Sequence, residues 1–301
     1  MVAVDGTGAA SFPPIGGVTH RFVDAGGLRT HVAEAGPTGA PPVLLLHGFP
    51  QHWWVWRHVV TDLARDHHVV VPDLRGAGWT DAPDSAYDRE ELLGDLLALL
   101  DALHLTYVDV IAHDWSALVT FQLCLRHPGR VSHHMAIGVP HPYLRFDARL
   151  LAGMRHTWFQ EVIITPVLGP RMLRGGHQRL ARHLFTAFAA DGHVWSAADL
   201  ECYLRPLREP ARAAAASRLY RMVLGEGLRI LRGTYLDLRL STPTVLLLGA
   251  EDPVVRADLL GGYDTHADDL VISTVTQAAH WVVDERPDAV VAHARALFGH
   301  P

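Results

Sequence analysis

Lysine and asparagine are absent from this 301-residue chain, so all 26 basic residues are arginine. That bias reads as the codon usage of a GC-rich genome and carries no function of its own. A strong charge is missing too. The formal net charge is −6 and no basic run stands out, so a nucleic-acid partner is not expected. No apolar stretch reaches the roughly 18–20 residues that a bilayer span requires, so no membrane association is expected. Met1–Pro14 lacks both a basic start and an apolar core, which speaks against a signal peptide. Only two cysteines occur, Cys124 and Cys202, far apart in sequence. They are expected to be buried thiols of a cytoplasmic protein. Internal repeats and low-complexity linkers are absent. What remains is a globular composition, 49% hydrophobic, sized for one large α/β domain with an insertion or for two small domains.

The hydrophobic pattern alternates along the first half of the chain. After a loose leader over residues 1–17, Thr19–Val23 and Leu28–Glu34 read as an antiparallel hairpin around Ala25-Gly26-Gly27. Pro42–Leu46 and His68–Val71 are short continuous apolar runs, as expected of strands covered on both faces. Trp53–Arg65 and Arg89–Leu103 have helical spacing, and Tyr107–Ile111 and Val131–Gly138 supply two more strands. The alternation predicts a doubly wound, mostly parallel sheet. It stops from about Pro142 to Asp237, where the pattern is nearly all helical, and resumes with strands at Thr244–Leu248 and Leu270–Val275 and a helix at Asp288–Leu297. The expected organisation is a core of residues 1–141 and 237–301, with a helical cap of residues 142–236 inserted after the sixth strand.

One turn carries the clearest chemical signal. Tyr107–Ile111 reads as a buried strand and Leu118–Arg126 as a helix, and Ala112-His113-Asp114-Trp115-Ser116-Ala117 joins them. Small residues two before Asp114 and two and three after it suit a tight strand-to-helix turn that pushes one side chain out at the top of a sheet. This is the geometry of the Gly-x-Ser-x-Gly nucleophile elbow, with Asp in the Ser place. A lone Asp at a strand end is more often a helix N-cap, and the flanking turn is what argues otherwise. Ser116 would lie inside the helix and is discounted as a nucleophile. In an open parallel sheet the loops at the carboxyl ends of strands face one crevice. Here those loops are His47-Gly48-Phe49-Pro50, the Asp114 turn, Gly249-Ala250-Glu251-Asp252-Pro253 and Ala279-His280-Trp281. Asp252, in a Gly-x-x-Asp pattern, is favoured over Glu251 and Asp284 as the carboxylate that orients His280.

Together these segments resemble the α/β-hydrolase superfamily, and within it the branch of epoxide hydrolases and haloalkane or haloacetate dehalogenases. The resemblance covers the chain after residue 18. It rests on His47-Gly48-Phe49-Pro50, His113-Asp114-Trp115, Leu125-Arg126-His127-Pro128 with Arg130-Val131, and His280-Trp281-Val282 with Glu285-Arg286-Pro287. It implies an α/β-hydrolase fold with a helical cap, no cofactor and no metal. Asp114 becomes the nucleophile, His280 the base, Asp252 its partner, and the backbone N–H groups of Phe49 and Trp115 the oxyanion hole. His47, Trp158, Phe159 and Trp281 are expected to line the substrate pocket. A carboxylate nucleophile suits displacement at saturated carbon, through a covalent ester that a water activated by His280 then opens.

The leaving group separates the reactions. The resemblance implies that haloalkane dehalogenases often carry Asn where this chain has Phe49, and that haloacetate dehalogenases usually carry Arg where it has Trp115. Epoxide hydrolases typically use two cap tyrosines. Leu219-Tyr220-Arg221 matches one, while Arg155-His156-Thr157-Trp158-Phe159-Gln160 matches the surroundings of the other without its Tyr. His156 is the expected substitute, since an imidazole can donate a hydrogen bond to a developing alkoxide. Tyr203 and Tyr235 are weaker candidates, and Trp53, Trp54 and Trp56 read as packing. The expected partners are a small apolar organic substrate and water. An epoxide hydrolase is the leading expectation, with a dehalogenase as alternative and a non-hydrolytic binding protein as a third. An oligomer is compatible with the sequence.

Overall fold

The structure is a computed structural model that describes residues 12–150, 155–192 and 194–299. The leader expected over residues 1–17 therefore falls largely outside the described residues. Among the described residues eight strands form one sheet: β1 (Thr19–Ala25), β2 (Leu28–Ala35), β3 (Pro42–Leu46), β4 (His68–Pro72), β5 (Val108–His113), β6 (Val131–Ile137), β7 (Thr244–Gly249) and β8 (Leu270–Val275). Their spatial order is β1-β2-β4-β3-β5-β6-β7-β8. β2 runs antiparallel to both β1 and β4, and every other neighbouring pair is parallel.

The continuous apolar runs sit where their composition demands. Val43 to Leu46 and Val110 to Ala112 are fully buried in β3 and β5, at the sheet centre, where helices cover both faces. Among those helices is Trp115–Arg126, which is buried from Trp115 through Leu125. Trp53 and Trp56 are also fully buried, as the packing reading expected. The segment Trp53–Leu63 is a 3₁₀ turn, Trp53–His58, followed by the short helix Val60–Leu63. Cys124 is buried as expected, but Cys202 is only partly buried, because its helix Ala197–Leu204 turns Tyr203 and Leu204 to the interior instead.

Between β6 and β7 the described residues are helical at Trp158–Ile164, Leu168–Arg174, Arg179–Ala187, Ala197–Leu204 and Pro210–Leu231. These helices form a roof over the carboxyl ends of the central strands. The last one lies against the helix that follows β5, where the Gln122 amide donates to the buried Glu226 carboxylate at 3.2 Å. Tyr235 also bonds Glu226 and in turn accepts from Arg89 at 2.6 Å, so its hydroxyl is spent on anchoring. No helix among the described residues is long and apolar enough to cross a membrane.

The loops that follow β7 and β8 cross closely. A Cβ on Gly249 would overlap the backbone carbonyls of Ala278 and Ala279, so only glycine allows the Asp252 loop to approach the His280 loop. Gly249→Ala should cost about 1–3 kcal/mol of stability through overpacking against backbone that has nowhere to go. Chemical denaturation should show a lowered midpoint at unchanged slope; a midpoint equal to that of the parent protein would contradict this account.

Candidate active site

Asp114 is the first residue past β5 and stands at φ 56°, ψ −141°, a conformation that L-residues rarely adopt. Such a residue stores on the order of 1–3 kcal/mol and persists only where its surroundings hold it. Here the Asp114 N–H donates to the Ile137 carbonyl at 2.9 Å, and the Asp114 carbonyl accepts from Ala117 N–H at 2.8 Å. The Ser116 hydroxyl donates to the carbonyls of His113 (2.8 Å) and Leu46 (3.2 Å), which ties the turn to β3 and occupies the hydroxyl. The loop after β3 then passes so close that a Cβ on Gly48 would stand 2.5 Å from the Asp114 Cβ.

This approach delivers two backbone donors to one carboxylate. Phe49 N–H donates to Asp114 Oδ2 at 2.9 Å, and Trp115 N–H also hydrogen-bonds the carboxylate. The other oxygen, Oδ1, lies 3.9 Å from His280 Nε2. The side chains remain 21% exposed for Asp114 and 17% for His280, enough for a small molecule to reach both. Burial raises the Asp114 pKa above the usual carboxylate value, against the opposing pull of His280 and of the two N–H groups.

His280 is held from three sides. Its Nδ1 bonds Asp252 Oδ2 at 3.1 Å, its backbone N–H donates to the Phe188 carbonyl in the roof at 3.0 Å, and its carbonyl accepts from His113 Nε2 at 2.9 Å. Burial lowers the His113 pKa to about 3, so that ring stays neutral and its proton sits on Nε2. Asp252 Oδ1 accepts the N–H groups of Val254 (2.7 Å) and Val255 (3.1 Å), leaving Oδ2 for the imidazole. The two competing acids are elsewhere. Glu251 is exposed, and Asp284 is buried against Gln51, Arg57 and Tyr203.

A cavity of about 140 Å³ opens over Asp114 and His280. Its walls are apolar and aromatic, with Phe49, Trp115, Phe159, Phe188, Tyr220 and Trp281 among them, and Thr157 and Gln160 add polar groups. Tyr220 is fixed edge-on against Phe49 (centroids 5.1 Å apart) and Phe159 (6.0 Å). Burial, reinforced by the negative charge of Asp114, pushes its pKa well above 10, so the phenol keeps its proton at any working pH.

Three expected site residues do not reach this cavity. His156 precedes the helix Trp158–Ile164 and faces an outer groove with Glu251 and Asp258, where its Nε2 accepts from Arg155. The phase of that helix sends Phe159 and Gln160 inward and leaves Trp158 49% exposed, tilted against His183. His47 is buried behind the site. Its Nε2 accepts from Leu74 N–H at 2.9 Å and its Nδ1 donates to the Gly48 carbonyl at 2.8 Å, so it pins two loops together and lines a neighbouring pocket. Tyr203 and Tyr235 are likewise absent from the cavity lining. Sequence reasoning passed over His113 and Gln160, although both lie in motifs it had singled out, and nothing in the sequence pointed to the Phe188 carbonyl. Among the described residues no group of three or more His, Cys, Asp or Glu side chains is placed to hold a metal ion.

A family model described as alpha/beta hydrolase fold matches residues 41–287. Epoxide hydrolase A of Mycobacterium tuberculosis is 30% identical to this chain, over 92% of the chain and 96% of its own length. Epoxide hydrolase 4 of Homo sapiens is 29% identical, over 93% of the chain and 78% of its own length. Among solved structures, Cfl2 of Burkholderia cenocepacia superposes with a TM-score of 0.84 at 25% identity, covering 94% of this chain and 96% of that one.

The imidazole offers a direct test of the electrostatics. Burial pulls the His280 pKa down but is outweighed by the Asp252 hydrogen bond and by the charges of Asp252, Asp114 and Glu285, so the net shift is upward from 6.5. A raised folded-state pKa stabilises the fold below the unfolded value and loses that contribution as pH rises through the folded one. NMR titration should place His280 above 6.5, with the resonance assigned by its loss in His280→Gln. Asp252→Asn should move it down; an unmoved midpoint would remove Asp252 as the cause.

Proposed function

The chain belongs to the α/β-hydrolase fold family, in its epoxide hydrolase branch, and from that premise we propose that it opens a small apolar epoxide to a vicinal diol through an ester on Asp114. The observation that carries this reading is the carboxylate itself. It is strained outward, held through Oδ2 by backbone donors, and faces an aromatic cavity with a protonated phenol in the roof. The Asp114 carboxylate attacks one oxirane carbon, the C–O bond breaks, and Tyr220 gives its proton to the leaving oxygen. A carboxylate displaces at saturated carbon without needing a carbonyl acceptor, and the resulting ester divides the reaction into two steps.

His280 then takes a proton from water, and the hydroxide attacks Cγ of Asp114. The tetrahedral oxyanion is held by the N–H groups of Phe49 and Trp115, which already bond the carboxylate in the resting site. Collapse breaks the bond between Cγ and the ester oxygen, which leaves with the substrate and takes the proton of the newly added hydroxyl, so that the diol is released and the carboxylate restored. The imidazolium proton returns to Tyr220 through solvent, so the sum is epoxide plus water giving diol. With His156 outside the cavity, Tyr220 is the acid of the first step.

A dehalogenase is the second reading, and one observation favours it. The indole Nε1–H groups of Trp115 and Trp281 are buried without a hydrogen-bond partner among the described residues, and both rings line the cavity. Such donors suit a departing halide. Among the described residues no arginine lines the cavity, so a haloacid is poorly matched.

Tyr220→Phe should slow epoxide opening by about 100- to 10,000-fold, the usual worth of a positioned proton donor. Halide release from haloalkanes at an unchanged rate in that variant, with no epoxide turnover by the parent, would favour the second reading. In His280→Gln, the ester should form and persist, adding the substrate mass to the protein. Intact-protein mass spectrometry reads this, and an unmodified mass beside consumed substrate would overturn the ester.

A further inference from the structure

Asp284 lies four residues after His280, and it is a buried, hydrogen-bonded carboxylate that the mechanism above does not use. Its side chain is fully shielded from solvent. Oδ2 accepts from Gln51 Nε2 at 2.6 Å, Oδ1 accepts from Arg57 Nη1 at 2.6 Å, and the Tyr203 hydroxyl donates to it at 3.2 Å. These donors come from three parts of the fold. Gln51 ends the loop whose Phe49 N–H reaches Asp114, Arg57 belongs to the 3₁₀ turn that follows, and Tyr203 belongs to the roof helix Ala197–Leu204. Gln51 has little else to hold it, because its buried Oε1 has no hydrogen-bond partner among the described residues. Arg57 extends the link into the roof through Tyr203 (2.9 Å) and Asp199 (3.4 Å).

We infer that Asp284 is a positioning residue that keeps the Phe49 loop, the His280 loop and the roof in one register. Its effect falls chiefly on the second half of the reaction. An oxyanion forms at Asp114 only when water attacks the ester, so the Phe49 N–H is most needed there, together with a correctly placed His280. The inference rests on the Asp114 ester proposed above. Loosening Gln51 lets the Phe49 N–H drift, and a positional error of about 1 Å is enough to cost on the order of 100-fold in rate. Alkylation uses the ionised carboxylate and the Tyr220 phenol, neither of which Asp284 touches.

The test is transient kinetics on Asp284→Asn. Stopped-flow and quench mass spectrometry should show ester forming at nearly the parental rate and decaying at least tenfold more slowly. In the steady state kcat and KM should fall together, leaving kcat/KM close to the parental value. Gln51→Leu provides a second route should Asp284→Asn fold poorly. It removes the link to the Phe49 loop, leaves the Arg57–Asp284 pair intact, and should show the same split at smaller amplitude. Loss of kcat and kcat/KM in equal proportion, with no added ester, is what simple destabilisation would produce and would overturn the inference. If the parent protein forms an ester while the variants hydrolyse it at the parental rate, the inference fails and the reaction stands. If the parent forms no ester, both fail.

Discussion

The site depends on one close approach, that of the Gly48-Phe49 backbone to the Asp114 side chain. A carboxylate drawn into an aromatic cavity loses hydration, and burial alone drives its pKa upward. Hydrogen bonds from two backbone amides and the nearby imidazole oppose that drift and favour the charged form. The same two amides are preorganised for the charge that develops when an ester at this position is attacked. Strain at Asp114 is the other side of this arrangement. A positive φ on a non-glycine residue is sustained because β5, β6, Ser116 and the β3 loop each hold the turn.

The roof completes the chemistry that the sheet begins. The strand-end loops supply a carboxylate, an imidazole and amide donors, all suited to attack and to hydrolysis. The phenol proposed to protonate a leaving oxygen comes from above, from Tyr220 on the helix Pro210–Leu231, which Glu226 and Gln122 join to the helix beginning at the elbow. Burial makes that phenol a poor acid in the resting state. In the proposed reaction its proton goes to the strongly basic oxygen of an opening epoxide.

Much of the core was legible because local pattern and tertiary role coincide there. β3 and β5 are apolar on both faces and lie at the sheet centre, and Asp114, Asp252 and His280 each follow a strand directly or within a few residues. The helical insertion was legible as helix but not in phase. Nothing local decides that the helix after Thr157 starts where it does, and that start sends Phe159 and Gln160 into the cavity while leaving His156 and Trp158 outside. His47 shares a motif with Phe49, yet the Leu74 amide from a distant loop claims its ring. Asp284 is a rival for the role of Asp252 by sequence alone, but Gln51 and Arg57, more than 200 residues away, occupy it. Contacts of that separation follow from the fold and leave no mark on local composition.

The covalent role of Asp114 is the claim on which everything else rests, and a single turnover in ¹⁸O-labelled water tests it most directly. With enzyme in excess over epoxide, mass spectrometry of the peptide containing Asp114 should find one heavy oxygen in its carboxylate, while the diol from that first turnover carries none. Heavy oxygen in the diol, with Asp114 unlabelled, would mean that water attacks the epoxide directly and would contradict the account.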